Sequence, residues 1–568
     1  MSIDPTKKLS GLLTPVFALR SQNDLGIGDT EAVCQMIDWC AAHRFDVLQV
    51  LPINETGDDN SPYNAISSMA IDPTTITLSP KWLPDLPSDA LARLVPPDLL
   101  EELRRGPVKY RKVKPLKMAL LREACACFIR EHWMKETPRA AAFRAFLTEN
   151  QDWVADYALF RTLMTRHGNL PVWEDWPVEH QTSSRARSWV MALPESERRQ
   201  VEDSQFFFAY AQWIAREQWV AVKKHAGERK VFLMGDIPYG VGRYSADVWG
   251  QRAFFDLRWS CGAPPETFFK PDVFTEKWGQ NWGIPLYRWD WMREDGCSWW
   301  RSRVRGAAAA FHYFRIDHVL GFYRIYAFPW KPQDNWIYTE LSKDQAKART
   351  GGYLPRFWLR DDDTPEHKKS NCIHGEELLR MVLNAAGDTG VVAEDLGMVP
   401  DYVRPSLLQM GIPGFKIPIF EREKDGSYRN SEKYAPLSVA TLGTHDHEPV
   451  AALWKRWSDP KCQEGAKEKQ HLLQWADWKA GQASSELDPA LHAAICGKLF
   501  ASSSWLAVLM ITDLFAETTR FNVPGPMSDS NWAERLPLAV TDFDSDPTYR
   551  ARVQAVEKFL PRTPATGR

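Results

Sequence analysis

Eight short apolar runs, each bounded by polar residues or by Gly or Pro, mark the chain at 12–19, 47–52, 231–238, 313–318, 390–396, 414–420, 440–446 and 505–515. Eight strands are what a closed (β/α)8 TIM barrel requires. Helix-period stretches such as Glu31 to Ala42 and Glu376 to Ala386 lie between several of the runs, which is the alternation of a parallel sheet. The last run is also long enough for a helix. At 568 residues the chain is too long for one plain core and reads as a single elaborated α/β domain spanning 1–568. The gap from Asp72 to about Lys230 is too long for one crossover. With helical candidates at 116–135, 137–148 and 205–224, it reads as a large, mainly helical insertion over 73–230. Stretches 360–371 (RDDDTPEHKKSN) and 458–467 read as solvated loops, and 561–568 (PRTPATGR) as a frayed tail.

Three runs end in a carboxylate: FRIDH at 314–318, VAEDLG at 392–397 and GTHD at 443–446 supply Asp317, Glu394 and Asp446. In a parallel barrel the C-terminal strand ends form the active site, so these three positions are candidates for one catalytic centre on strands four, five and seven. Alternation puts Arg315 on the same side as Asp317, where its guanidinium holds an ionised, oriented carboxylate suited to nucleophilic attack. Glu394 follows Val391, Val392 and Ala393. An apolar setting beside a negative charge raises a carboxyl pKa, as a proton donor at neutral pH requires. Cleavage of a sugar acetal with retention needs this division of labour, with carboxyl groups about 5 to 5.5 Å apart. Asp446 would then bind sugar hydroxyls and favour the oxocarbenium-like transition state. The plain alternative for each carboxylate is a helix cap or an ion pair at a strand end.

Composition narrows the partner. A net charge of −3 and a pI near 6.5 give no long-range attraction to nucleic acid or to anionic membranes, so the expected partner is neutral. Nine scattered cysteines without a CxxC pair suggest neither a disulfide framework nor a zinc ribbon and fit a reducing compartment. The start MSIDPTKKLSGLLTP lacks a signal-peptide apolar region, and the longest apolar run is too short for a bilayer, giving a cytoplasmic reading. The 26 Trp exceed ordinary packing needs, and flat rings bind the apolar faces of sugars, although packing explains most indoles equally well. The paired glycines at 26 and 28 and at 240 and 242 lack a nucleotide fingerprint and read as turns; no P-loop or nucleophile elbow is present. His445 and His447 have no third ligand at metal-binding spacing.

The strings FRIDHVLGF, VVAEDLG and GTHD resemble motifs of 4-α-glucanotransferases of the amylomaltase (disproportionating enzyme) type in the α-amylase superfamily. SPYNAIS (61–67), QWIAREQW (212–219), GDIPYGVGRYSADVW (235–249), GAPPETF (262–268), WGQNWGIPLYRW (278–289) and RFNVPG (520–525) extend the likeness from about Gly11 to Trp532. The resemblance implies a retaining transglycosylase on a (β/α)8 barrel, without cofactor or obligatory metal. It would move segments between malto-oligosaccharides or starch- or glycogen-type α-glucans, with glucose as an acceptor. It implies Asp317 as nucleophile, Glu394 as acid/base and Asp446 as transition-state stabiliser. Arg315 and His445 would hold the nucleophile and the hydroxyls of the cleaved sugar, with Tyr63 as its platform and Asp236 as a supporting carboxylate. Gly279, Gln280 and Trp282 resemble the loop near the donor and acceptor subsites. Ser61, Asp395 and Asn522 resemble further glucan contacts, and His318 joins the substrate-binding set. The chain departs from the pattern at His447-Glu448-Pro449, Thr512-Asp513, Ile284 and Asn531 to Arg535, which leaves subsite preference open. A retaining α-glucan hydrolase and an inactive glucan-binding protein are the alternative readings.

Overall fold

Twelve strands assemble into two sheets in the computed structural model, which describes residues 3–266, 272–479, 486–524 and 530–561. Residues 562–568 of the expected frayed tail, and Thr267, Phe268 and Gly525 of the strings above, lie outside the described residues. The larger sheet holds β1 (Leu9–Leu13), β2 (Val47–Gln49), β3 (Phe232–Ile237), β6 (Tyr313–Ile316), β9 (Gly390–Ala393), β10 (Gly414–Lys416), β11 (Ser438–Thr441) and β12 (Leu506–Met510). Their order, β10-β11-β12-β1-β2-β3-β6-β9, is parallel throughout. Every one of these strands overlaps one of the eight apolar runs, although β1 and β11 begin before theirs, at Leu9 and Ser438. Most strand residues are buried on both faces, which is why the runs read as continuous rather than alternating apolar sequence. The run at 505–515 serves as strand and then helix, since Ile511–Phe515 turns helical directly after β12.

The ring is completed at the seam between β9 and β10. Ala393 N–H donates to the Pro413 carbonyl at 2.9 Å, and Phe415 N–H donates to Oδ1 of Asp395 at 2.6 Å. Side-chain and backbone acceptors together take the place of a full strand ladder there.

Between β2 and β3 the chain forms helices at Ala90–Leu94, Pro97–Arg104, Tyr110–Phe128, Pro138–Glu149, Val154–Arg166, Ser183–Ala192 and Glu195–Glu228, the last of 34 residues. Two buried glutamines on that long helix bind the backbone of the segment after β2 as a neighbouring strand would. Gln212 accepts from Ile71 N–H at 2.8 Å and donates to Ile71 O at 2.9 Å, and Gln218 does the same at Thr77 with 2.8 and 3.0 Å. Buried polar backbone is thereby satisfied, and the loop carrying Ser61 and Tyr63 is anchored.

The second sheet was not expected from the sequence. It is antiparallel, in the order β5-β4-β7-β8, from β4 (Phe255–Ala263), β5 (Gln280–Tyr287), β7 (Ile325–Phe328) and β8 (Arg356–Trp358). Gly283 and Pro285 interrupt β5, and register shifts between Asp256 and Gly262 break the alternation of β4, so neither segment shows a clean strand period. One loop expectation is corrected. The stretch 360–371 is loop only to Thr364, whose side chain caps a helix running from Pro365 to Ala386 by accepting from His367 N–H at 3.1 Å. Likewise the helix Gly465–Trp475 begins within the other expected loop. Among the described residues no helix is long and apolar enough to cross a membrane.

Candidate active site

Strand register explains how the charged side chains meet. Asp236 of β3 pairs with Arg315 of β6, and Ile316 pairs with Ala393 of β9, so the next residues, Asp317 and Glu394, leave adjacent strand ends at the same level. The ladder continues one step further: Asp317 N–H donates to Ile237 O at 3.0 Å and Glu394 N–H to Ile316 O at 2.9 Å. The Arg315 guanidinium is buried between two carboxylates, giving one N–H to Oδ2 of Asp236 at 2.5 Å and another to Oδ1 of Asp317 at 2.7 Å. Burial alone would ease its proton off. The two carboxylates outweigh that and hold Arg315 charged. Tyr63 O–H also donates to Oδ2 of Asp236, at 2.7 Å. Burial pushes Asp236 up to about 7 against the pull of Arg315, and its Oδ1 is buried without a partner among the described residues.

Glu394 is held by the chain that follows its neighbour. His318 has φ 47°, in the left-handed region that a non-glycine residue adopts at some cost. Its N–H donates to Oε2 of Glu394 at 2.8 Å, while Leu396 N–H donates to Oε1 at 3.0 Å. Burial pushes Glu394 up to about 8, and the charges of Asp317 and Asp395 add to the rise, against Arg315 and the His318 amide. Asp317 is the more open of the pair, its side chain 29% exposed, whereas Glu394 is 8% exposed.

Asp446 approaches from β11 on the other side of the ring. Asn522 Nδ2 donates to its Oδ1 at 2.6 Å, and His445 Nε2 lies 3.4 Å from the same oxygen. Burial works against ionisation here, but His445, Asn522, His447 and Arg315 together hold Asp446 below the ordinary carboxylate value. The Tyr63 and His445 rings stack at 4.7 Å and 13°, with Trp532 tilted against both. Arg520 braces this corner by donating to the Asp446 carbonyl and, at 2.7 Å, to Asn522 O.

All three carboxylates line one cavity of about 1980 Å³. Ser61, Tyr63, Arg315, His318, His445 and Asn522 line it as well, and Gln280 and Trp282 reach it from β5. The Trp282 indole is 38% exposed and lies edge to face with His318 at 4.8 Å, donating to Gln280 Oε1 at 3.2 Å. Three expected site residues stand outside the lining. Asp236 lies behind it, bonded to Tyr63 and Arg315. Gly279, at φ 97°, makes the turn into β5, where an added Cβ would fall 2.1 Å from Ala263 O. Asp395 turns away altogether, giving one oxygen to the Phe415 amide and the other to Arg404 at 2.9 Å.

A pair of adjacent strand-end carboxyl groups, one held by an arginine and the other raised by burial, faced by a third carboxylate and open aromatic rings, is equipped for acetal chemistry on a sugar. A family model described as 4-alpha-glucanotransferase matches residues 14–541. The chain belongs to that family. Members of the 4-alpha-glucanotransferase family are enzymes that transfer glucan segments. A 4-alpha-glucanotransferase of Chlamydia caviae is 30% identical over 96% of this chain and 93% of its own length. One of Thermus thermophilus is 30% identical over 90% and 91%. Among solved structures, the amylomaltase from Streptococcus agalactiae in complex with acarbose has the same fold, with a TM-score of 0.74 and 21% identity over 97% of this chain and 99% of that one.

Arg520, Trp532 and Phe420 were not singled out from sequence, although each lines the cavity. Arg520 opens the RFNVPG string and Trp532 lies in the divergent segment near the C-terminus, so both were within reach. Phe420 ends an apolar run like any packed residue; its 52% exposure is visible only in three dimensions.

Proposed function

We propose that the enzyme disproportionates α-1,4-glucans by double displacement, with Asp317 as nucleophile, Glu394 as acid/base and Asp446 binding the hydroxyls of the distorted sugar. An oxygen of Asp317 attacks the anomeric carbon as the glycosidic C–O bond breaks, and the Glu394 proton goes to the departing 4-oxygen. The 4-hydroxyl of a malto-oligosaccharide or of glucose then gives its proton to Glu394 and displaces Asp317, restoring both groups. The observation that carries this reading is the single arginine shared by Asp236 and Asp317 beside a Glu394 raised to about 8. It places a carboxylate oriented by a guanidinium next to a buried carboxyl that favours its proton, on adjacent strands. Arg315 occupies Oδ1 of Asp317, and among the described residues no donor occupies Oδ2.

The test uses purified enzyme and maltotriose, reading the product ladder. Asp317→Asn should lower transfer by about a thousandfold or more while glucan binding persists. Glu394→Gln should fail on maltotriose yet still be glycosylated by α-maltosyl fluoride, whose leaving group needs no proton. Substantial turnover by Asp317→Asn would remove it as nucleophile. Equal loss on both donors would remove Glu394 as the acid. Shorter products without longer ones would show water, not sugar, taking the intermediate.

A further inference from the structure

The segment after β11 folds back on itself so that the ring of His447 is fixed. Gly443 permits this close approach, since a Cβ there would lie 2.9 Å from the Cβ of His447. Thr444 N–H donates to Nδ1 of His447 at 3.0 Å, and the Thr444 hydroxyl lies 2.8 Å from the same nitrogen. A nitrogen that accepts from an amide cannot carry its own proton, so the neutral ring bears it on Nε2. Nε2 has no partner among the described residues, and the imidazole lines the cavity next to Asp446. Phe420 meets the ring edge to face at 5.4 Å and keeps it from rotating away. The result is one N–H donor of fixed direction on the Asp446 side of the cavity. Burial pushes His447 down to about 4, so this tautomer persists across neutral pH.

We propose that His447 is a specificity-determining residue whose Nε2–H donates a hydrogen bond to a glucan hydroxyl held beside Asp446. This rests on the cavity binding glucan, as proposed above, but not on which carboxylate attacks. The residue touches a hydroxyl that does not react, so its effect falls on the choice and affinity of the sugar rather than on bond breaking. A hydroxyl bound in this way is worth about 3- to 10-fold.

The experiment compares wild type, His447→Phe, which keeps a ring without the donor, and His447→Gln, which keeps a distal N–H. Each is assayed with maltotriose and with maltotrioses lacking one hydroxyl at a time, and thermal unfolding is recorded in parallel. His447→Phe should raise KM about 3- to 10-fold with kcat within about twofold, and His447→Gln should recover most of the loss. One deoxy sugar should be poorer than maltotriose for wild type and equal to it for His447→Phe, closing a cycle that isolates the contact. If every deoxy sugar is discriminated alike by wild type and His447→Phe, the proposal is overturned, whatever the change in stability. If His447→Phe does not fold, His447→Leu, which also lacks the donor, takes its place in the cycle: lost discrimination against one deoxy sugar supports the contact, and a panel matching wild type overturns it. The cycle compares transfer rates only, so it stays readable if Asp317 proves not to be the nucleophile.

Discussion

Glu394 is buried and yet lines the cavity, the two conditions that the proposed proton donor has to meet together. The folded protein raises it to about 8 from an unfolded value of 4.5, mainly through burial. A carboxyl raised on folding stabilises fully below its unfolded value, and that contribution is lost as pH rises through the folded one. Glu394→Gln should therefore match wild type in unfolding free energy near pH 4 and exceed it by on the order of 1–3 kcal/mol near pH 8.5. Denaturant melts across that range check this, and a difference independent of pH would mean that Glu394 is not protonated by its surroundings. The apolar Val391-Val392-Ala393 lead-in made this environment readable from sequence. The left-handed His318, whose amide holds Oε2, was not readable, because nothing in FRIDHVLGF marks a histidine at positive φ. Asp395 misled for a similar reason: its neighbour Glu394 enters the cavity, and alternation along the chain sends Asp395 to the opposite side.

At the scale of elements, the helix Val450–Trp457 begins four residues after Asp446 and has no capping side chain of its own. Its first amide is taken by Asp513, which accepts from Val450 N–H at 2.7 Å and is fully buried in the turn after β12. Asp513→Ala should cost on the order of 1–2 kcal/mol in chemical denaturation, as for a lost helix cap, and should lower kcat as the Asp446 segment loosens. Unchanged kcat alongside lost stability would confine Asp513 to scaffolding. The eight barrel strands were readable because burial on both faces leaves unbroken apolar runs. The antiparallel sheet was not, because its strands are short, interrupted by Gly283 and Pro285, or bulged. It nonetheless delivers Gln280 and Trp282 to the site.

For the whole molecule, a cavity of about 1980 Å³ is roughly twice the upper end of a drug-sized pocket, so it has room for several sugars at once. KM should fall over several added glucose units as malto-oligosaccharides lengthen from maltotriose, then level off. A series of chain lengths measures this, and a KM already flat at maltotriose would mean that the outer cavity holds no sugar. The seam between β9 and β10 adds a consequence of another kind. Asp317 and Glu394 stand on one bank of it, and Asp446 stands on the other. While the seam is open, the two groups can be linked only the long way round the ring. With the proposed roles of all three carboxylates, a refolding chain regains turnover only when the ring shuts, which makes the enzyme's own activity a clock for that closure.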